Sequence, residues 1–168
     1  MRTLALGTVA LMLAGCALNP APVPVVGDSW SITNLAGEWN GEYSSADTRR
    51  SGSIHFVLEA GRDTAFGDVI MVPALSMGAH DPQHETWERN RPFRSDPRAL
   101  FIQFVRAEGN RINGAIQPYP APDCECTLHT SFMGVRTGSR IEGTFITRHE
   151  DCGMTAETGK WWAVRRSN

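Results

Sequence analysis

The sequence predicts an all-β fold, a small antiparallel up-and-down barrel of about eight strands. Apolar and polar residues alternate with a period of two from Leu35 onward, and the alternating segments are separated mostly by short turns that contain glycine. No segment of about 12 residues carries an apolar stripe at helical spacing. The hydrophobic content of 41% and the charged content of 20% are typical of one globular domain.

Eight segments carry the strand pattern. They cover residues 37–43, 53–59, 66–72, 100–104, 112–116, 126–132, 141–145 and 161–166. Phe132 and Phe145 are expected to lie opposite each other on one face, because Gly138 and Ser139 suit a two-residue type II′ turn with glycine first.

A short internal repeat indicates two equivalent hairpins. Residues 109–116 and 138–145 each contain a glycine turn, a strand entry and a later glycine, at Gly114 and Gly143. These later glycines are expected on the inward face, where glycine lets a strand bend as a barrel requires.

The first 16 residues carry the pattern of an export signal. Arg2 precedes an uncharged apolar run over residues 4–13, which is too short for a membrane-spanning helix of about 20 residues. The run ends in Leu13-Ala14-Gly15-Cys16, which resembles the lipobox of bacterial lipoproteins.

That resemblance implies how the protein is processed and where it is held. Residues 1–15 would be a signal peptide, and Cys16 would carry a diacylglycerol and an N-terminal acyl chain such as palmitate. The lipid bilayer is then a partner through Cys16. Ala17 at the next position resembles the signal for sorting to the outer membrane, with the protein facing the periplasm.

Residues 16–34 are predicted to be the lipidated N-terminus and a proline-rich tether, and residues 35–168 the barrel domain. The alternating Pro20, Pro22 and Pro24 favour an extended chain, and ten such residues would reach roughly 30 Å. The alternative is that this segment packs on the domain as an N-terminal strand.

Two short motifs at the ends of the domain suggest a family. Gly37 and Trp39 on the first predicted strand and Arg165 on the last resemble lipocalin-like barrels, with Arg166 as the other candidate for the arginine. The resemblance implies that the tryptophan plugs the closed end of the barrel and that the arginine packs across it.

Three cysteines remain beside Cys16, and an exported protein is expected to form disulfides. With Phe132 opposite Phe145, Cys152 falls beside both Cys124 and Cys126. We expect a Cys124–Cys152 disulfide, with Cys126 as the alternative partner, and one cysteine left over as a reactive thiol or for intermolecular pairing.

A metal site is the alternative use of these residues. Cys124, Cys126, Cys152 and His149 could together bind copper(I) or zinc, whereas His129 has the opposite strand parity and is expected to point away. This set distantly resembles copper-responsive envelope lipoproteins that carry a cysteine pair on a lipocalin-like barrel. No metal is the primary expectation.

Residues 76–98 break the strand pattern and are expected to form a long polar loop. His80 and His84 could share a helix face and hold a metal, but Pro82 between them disfavours that helix, so we expect a solvated loop.

The sequence favours a binding module over an enzyme. It contains no nucleophile elbow, phosphate-binding glycine loop or zinc-protease motif, so neither catalysis nor a cofactor is expected. The net charge of −2 gives no electrostatic reason to bind nucleic acid. The expected partner is a small apolar ligand or an envelope protein. The alternatives are a periplasmic inhibitor or interaction barrel that uses the long loop, and a thiol-based metal or redox sensor.

Overall fold

This computed structural model describes residues 21–72, 97–122, 126–150 and 152–167. The described chain confirms the all-β prediction, and within it no helix has the length and hydropathy needed to cross a membrane. In chain order its elements are β1 (Pro22–Gly27), α1 (Ser29–Leu35), β2 (Gly37–Ser44), β3 (Ser51–Leu58), β4 (Thr64–Val72), β5 (Arg98–Glu108), β6 (Arg111–Ile116), β7 (Tyr119–Pro120), β8 (Thr127–Thr137), β9 (Arg140–Glu150) and β10 (Glu157–Arg165).

The strands close into a barrel. The eight strands β2, β3, β4, β5, β6, β8, β9 and β10 follow one another as antiparallel neighbours, and the β10–β2 pairing completes the circle. β4 and β5 pair directly only over residues 68–71. β1 fills the remaining space between them, antiparallel to β4 and parallel to β5, so nine strands build the wall. Within the described ranges, β7 pairs only with β8.

β1 corrects the prediction of a tether. Residues 22–27 belong to the barrel wall, so the tether prediction for residues 16–34 is wrong from Pro22 onward and the alternative of a packed N-terminal strand is right. Val25 donates its N–H to the Asp63 carbonyl at 2.7 Å, which directs the nitrogens of Pro22 and Pro24 away from β4. Pairing with β5 begins only at Val25, so the two prolines remove no ladder hydrogen bond.

A seven-residue helix that the periodicity did not predict covers one end of the barrel. Asp28 caps α1 by accepting hydrogen bonds from the Ser31 N–H at 2.9 Å and the Ser31 hydroxyl at 2.7 Å. These two bonds hold the pKa of Asp28 below its ordinary value. The Ser31 hydroxyl also accepts the Gly109 N–H at 2.8 Å, which fastens the helix to the β5–β6 turn.

The predicted β8–β9 hairpin is confirmed. Phe132 pairs with Phe145, and Thr137 pairs with Arg140 across a two-residue turn. Gly138 has a φ of +61°, which a type II′ turn requires at its first central position.

The predicted alternation on the β5 strand holds only in part. A register shift lies between Ile102 and Phe104, so Phe104 turns outward and Val105 takes the inner position. The alternation expected through residue 104 therefore ends at Ile102.

Candidate functional site

The end of the barrel next to α1 is closed by Trp39. This side chain is only 1% exposed, and its ring lies 4.7 Å from the guanidinium carbon of Arg165. The indole N–H donates to the Leu35 carbonyl at 2.7 Å, and the Arg165 guanidinium donates to the Asn34 carbonyl. Burial lowers the pKa of Arg165 below its ordinary value. The tryptophan and the arginine thus pack against each other beneath the last turn of α1.

The absence of a side chain at Gly37 leaves room for the Arg165 side chain. The residue has a φ of +127°, and a β-carbon there would stand 3.1 Å from Arg165 Cδ. The structure therefore brings Gly37, Trp39 and Arg165 together in the arrangement that the lipocalin-like resemblance implies. Arg166, the other candidate, lies on the outside and pairs with Glu38 at 3.1 Å.

Above Trp39 the interior of the barrel contains a cavity of about 110 Å³, which is open to solvent over part of its boundary. It extends from Trp39 near the start of β2 to Ser45 just beyond that strand, a distance of roughly 20 Å at the usual rise per residue. Most of the lining is apolar. The apolar lining residues are Leu35, Trp39, Ile54, Phe56, Val69, Met71, Leu100, Ile102, Val105, Ile112, Ile116, Phe132, Ile141, Phe145, Trp161 and Ala163.

Glycines in the wall help to keep this space open. A β-carbon on Gly143 would stand 2.4 Å from the Trp161 indole nitrogen, and one on Gly114 would stand 2.4 Å from the Phe132 ring. Both glycines therefore face inward, as predicted, and the two rings occupy the space beside them, meeting edge to face with their centroids 5.8 Å apart. The Trp161 indole N–H donates to the Met133 carbonyl at 3.0 Å, which holds that ring at the wall.

The end of the cavity away from Trp39 carries polar groups. The Tyr43 hydroxyl is buried and has no hydrogen-bond partner among the described residues, and burial raises the pKa of Tyr43. Tyr43 is therefore a protonated residue of the cavity lining, and its hydroxyl is covered by neighbouring side chains with its hydrogen bond unmade. The other hydroxyls nearby are paired, Tyr119 with Thr130 at 3.0 Å and Thr130 with Thr147 at 2.8 Å.

Three ionisable residues form a buried cluster at the same end. Arg50 Nη1 donates a hydrogen bond to Glu157 Oε2 at 3.2 Å. His149 Nε2 lies 3.1 Å from Glu157 Oε1, but this second contact does not have hydrogen-bond geometry. The His149 side chain is 0% exposed. This cluster joins the β2–β3 loop to the start of β10 and to the end of β9. Strand parity predicted the inward orientation of His149, whereas Arg50 and Glu157 lie at strand ends where no pattern identified them.

The disulfide joins Cys126 and Cys152, with their α-carbons 6.1 Å apart. This is the alternative pairing, so the expectation of a Cys124–Cys152 bridge is wrong. The β8–β9 ladder ends at the Thr127–Glu150 pair, which leaves Cys126 one residue from the ladder and Cys124 three residues from it. The nearer cysteine is the one within reach of Cys152.

The bridge removes two sulfurs from the alternative metal set. Cys126 and Cys152 supply no thiolate while they are bonded to each other, and His149 faces Glu157. Within the part of the chain that the structure describes, no three His, Cys, Asp or Glu side chains converge as metal ligands. Cys16, Cys124, His80 and His84 lie outside the described residues.

Comparison with models of protein families, with curated proteins and with solved structures finds no match for this chain. The closed barrel is shown by the strand pairings themselves. The likeness to lipoproteins and to lipocalin-like barrels consists of short motifs, the segment ending at Cys16 and the trio of Gly37, Trp39 and Arg165.

Proposed function

We propose that this protein is a lipid-anchored protein of the bacterial cell envelope whose barrel binds a small apolar molecule. The observation that supports binding is the apolar cavity above Trp39, of about 110 Å³. An engineered cavity of about 150 Å³ with a similar aliphatic and aromatic lining binds benzene. A single ring or a short alkyl chain therefore matches this space, and each Å² of apolar surface it buries contributes roughly 25 cal/mol.

The polar end of the cavity indicates what else the ligand carries. The Tyr43 hydroxyl is a buried donor without a partner among the described residues. Leaving such a donor unpaired costs about 1–3 kcal/mol. A ligand with one oxygen acceptor at the end of an apolar body, such as an alcohol or a ketone, would remove that cost if its binding displaces the side chains that cover the hydroxyl.

The lipid anchor is the second part of the proposal, and it is supported by the Leu13-Ala14-Gly15-Cys16 motif. Three acyl chains on Cys16 exceed the two signals that stable membrane anchoring requires. The barrel would then act at the outer membrane, facing the periplasm. Intact mass tests this part, because Cys16→Ser should yield an unprocessed chain without acyl groups.

Filling the cavity is expected to abolish ligand binding. Val69 lines the cavity on β4, so Val69→Phe places a ring in the space that a ligand would occupy. Titration calorimetry of the full chain with 1-hexanol should show at least about a tenfold loss of affinity, equivalent to about 1.4 kcal/mol.

The matched control makes the same change on the outer wall. Val135 on β8 is exposed, so Val135→Phe adds a ring without entering the cavity and should leave 1-hexanol binding unchanged. Equal binding by wild type and Val69→Phe would contradict the cavity as the binding site. If the wild type binds neither 1-hexanol nor 1-decanol, that result would contradict the proposed ligand class.

A further inference from the structure

An apolar surface lies on the outer wall of the barrel where β1 is inserted between β4 and β5. Phe66, Phe101 and Phe104 are 45%, 42% and 37% exposed. Pro22, Pro24 and Val26 of β1 are exposed as well, and Pro22 pairs with Phe66. We call this surface the β1 face, defined by Pro22, Pro24, Val26, Phe66, Phe101 and Phe104. Contiguous exposed apolar surface is a common feature of interaction sites.

The position of β1 determines where the chain enters the barrel. Pro22 lies opposite Phe66, and direct β4–β5 pairing starts at the Asp68–Phe101 pair. The chain therefore joins the wall partway along β4 and β5, beside the exposed phenylalanines, and not at either end of the barrel. Anything attached shortly before residue 21 is held next to the β1 face.

Only four residues, 17–20, separate Cys16 from the first described residue, Ala21. Even a fully extended chain spans no more than about 3.6 Å per residue, so Cys16 lies within about 18 Å of Ala21. With residues 22–27 forming a strand, no long tether remains to lift the domain away from a membrane that holds Cys16.

We propose that the β1 face contacts the bilayer that holds the lipidated Cys16, with its phenylalanines against lipid. This proposal depends on the proposed lipid anchor. Trp30 lies at the start of α1, a helix that packs against β1 and β5, and it is 62% exposed. Tryptophan is a residue type that favours membrane interfaces.

The charges around this face favour apolar contact over attraction to anionic lipid. Arg106 pairs with Glu108 at 3.6 Å, and Asp68 lies 3.8 Å from His55. Glu108 therefore compensates the charge of Arg106, and Asp68 does the same for His55, so neither basic side chain adds an uncompensated positive charge to the face. Contact with lipid should therefore be the same in neutral and in anionic vesicles.

Photocrosslinking of the full, lipidated chain tests this surface. Benzoylphenylalanine is placed at Phe101, at Phe104 or at Val164, and each protein is reconstituted into phosphatidylcholine vesicles, with or without phosphatidylglycerol. Val164 is the matched control, because it is 37% exposed, as Phe104 is, but lies on β10 across the barrel from β1. All three side chains are exposed, so the substitutions should leave the fold intact.

Intact mass after irradiation gives the outcome. We expect a phospholipid adduct at positions 101 and 104 in both kinds of vesicle and none above background at 164. Adducts at all three positions, no adduct at 101 and 104, or crosslinks between two copies of the chain would overturn the proposal while leaving the lipid anchor intact. A chain without acyl groups at Cys16 would overturn the anchor and the membrane contact together, and the mass distinguishes the two failures.

Discussion

Trp39→Ala is expected to lower the free energy of unfolding by about 3–5 kcal/mol, the usual cost of removing a large buried aromatic side chain. Trp39 is fully buried, donates to the Leu35 carbonyl at 2.7 Å and packs under Arg165. Its removal leaves a void at the closed end. It also removes the hydrogen bond to the Leu35 carbonyl of α1 and the ring against which Arg165 packs. Denaturant unfolding followed by circular dichroism measures the loss.

Trp162→Ala is the control for Trp39→Ala. Trp162 neighbours Trp161 on β10, but its side chain lies on the outer wall, partly exposed, with the Arg140 guanidinium 5.0 Å from its ring. Its loss should cost about 1 kcal/mol or less, the range of an exposed cation–π contact. Equal destabilisation by the two substitutions would contradict the role assigned to Trp39 at the closed end.

Cys152→Ser is expected to lower stability by about 3–4 kcal/mol under oxidising conditions, as chain-entropy estimates give for a loop of this size. The bridge to Cys126 spans 26 residues of sequence and ties the end of β9 to the start of β8. Thermal unfolding with and without reductant measures the effect, and reductant should remove the difference between wild type and variant.

Thiol counting identifies the pairing in the same proteins. Cys152→Ser should raise the number of free thiols by one, because Cys126 loses its partner. Cys124→Ser should leave the bridge and most of the stability unchanged. A large loss of stability on Cys124→Ser, together with none on Cys126→Ser, would show that the bridge involves the other cysteine.

The sequence predicted the features that depend on strand periodicity. Alternation identified eight of the nine barrel strands, and the Gly138 turn with the Phe132–Phe145 pair set the register of the β8–β9 hairpin. That register placed Cys152 near two cysteines but could not choose between them, because the choice depends on how the chain leaves the ladder. The motif residues Trp39 and Arg165 were identified because tryptophan and arginine occupy fixed places at the two ends of the domain.

The features that were missed depend on tertiary contacts. The prolines in β1 were interpreted as part of a tether. A proline fits a strand where its nitrogen points away from the paired neighbour, and the sequence does not show which side of β1 is paired. α1 is too short to show helical periodicity. The buried Arg50–Glu157 pair joins the β2–β3 loop to the start of β10, 107 positions apart, a contact that no local pattern predicts.

Xenon binding tests the central claim, that the barrel is hollow and apolar inside. Xenon enters dry apolar cavities and needs no specific chemistry to bind there. A crystal structure of the protein under xenon pressure should show xenon between Trp39 and Tyr43, in contact with Val69 or its neighbours in the lining. The Val69→Phe variant should show less xenon or none. A wild-type barrel filled by its own side chains, with no xenon inside, would contradict the claim and the ligand-binding function proposed from it.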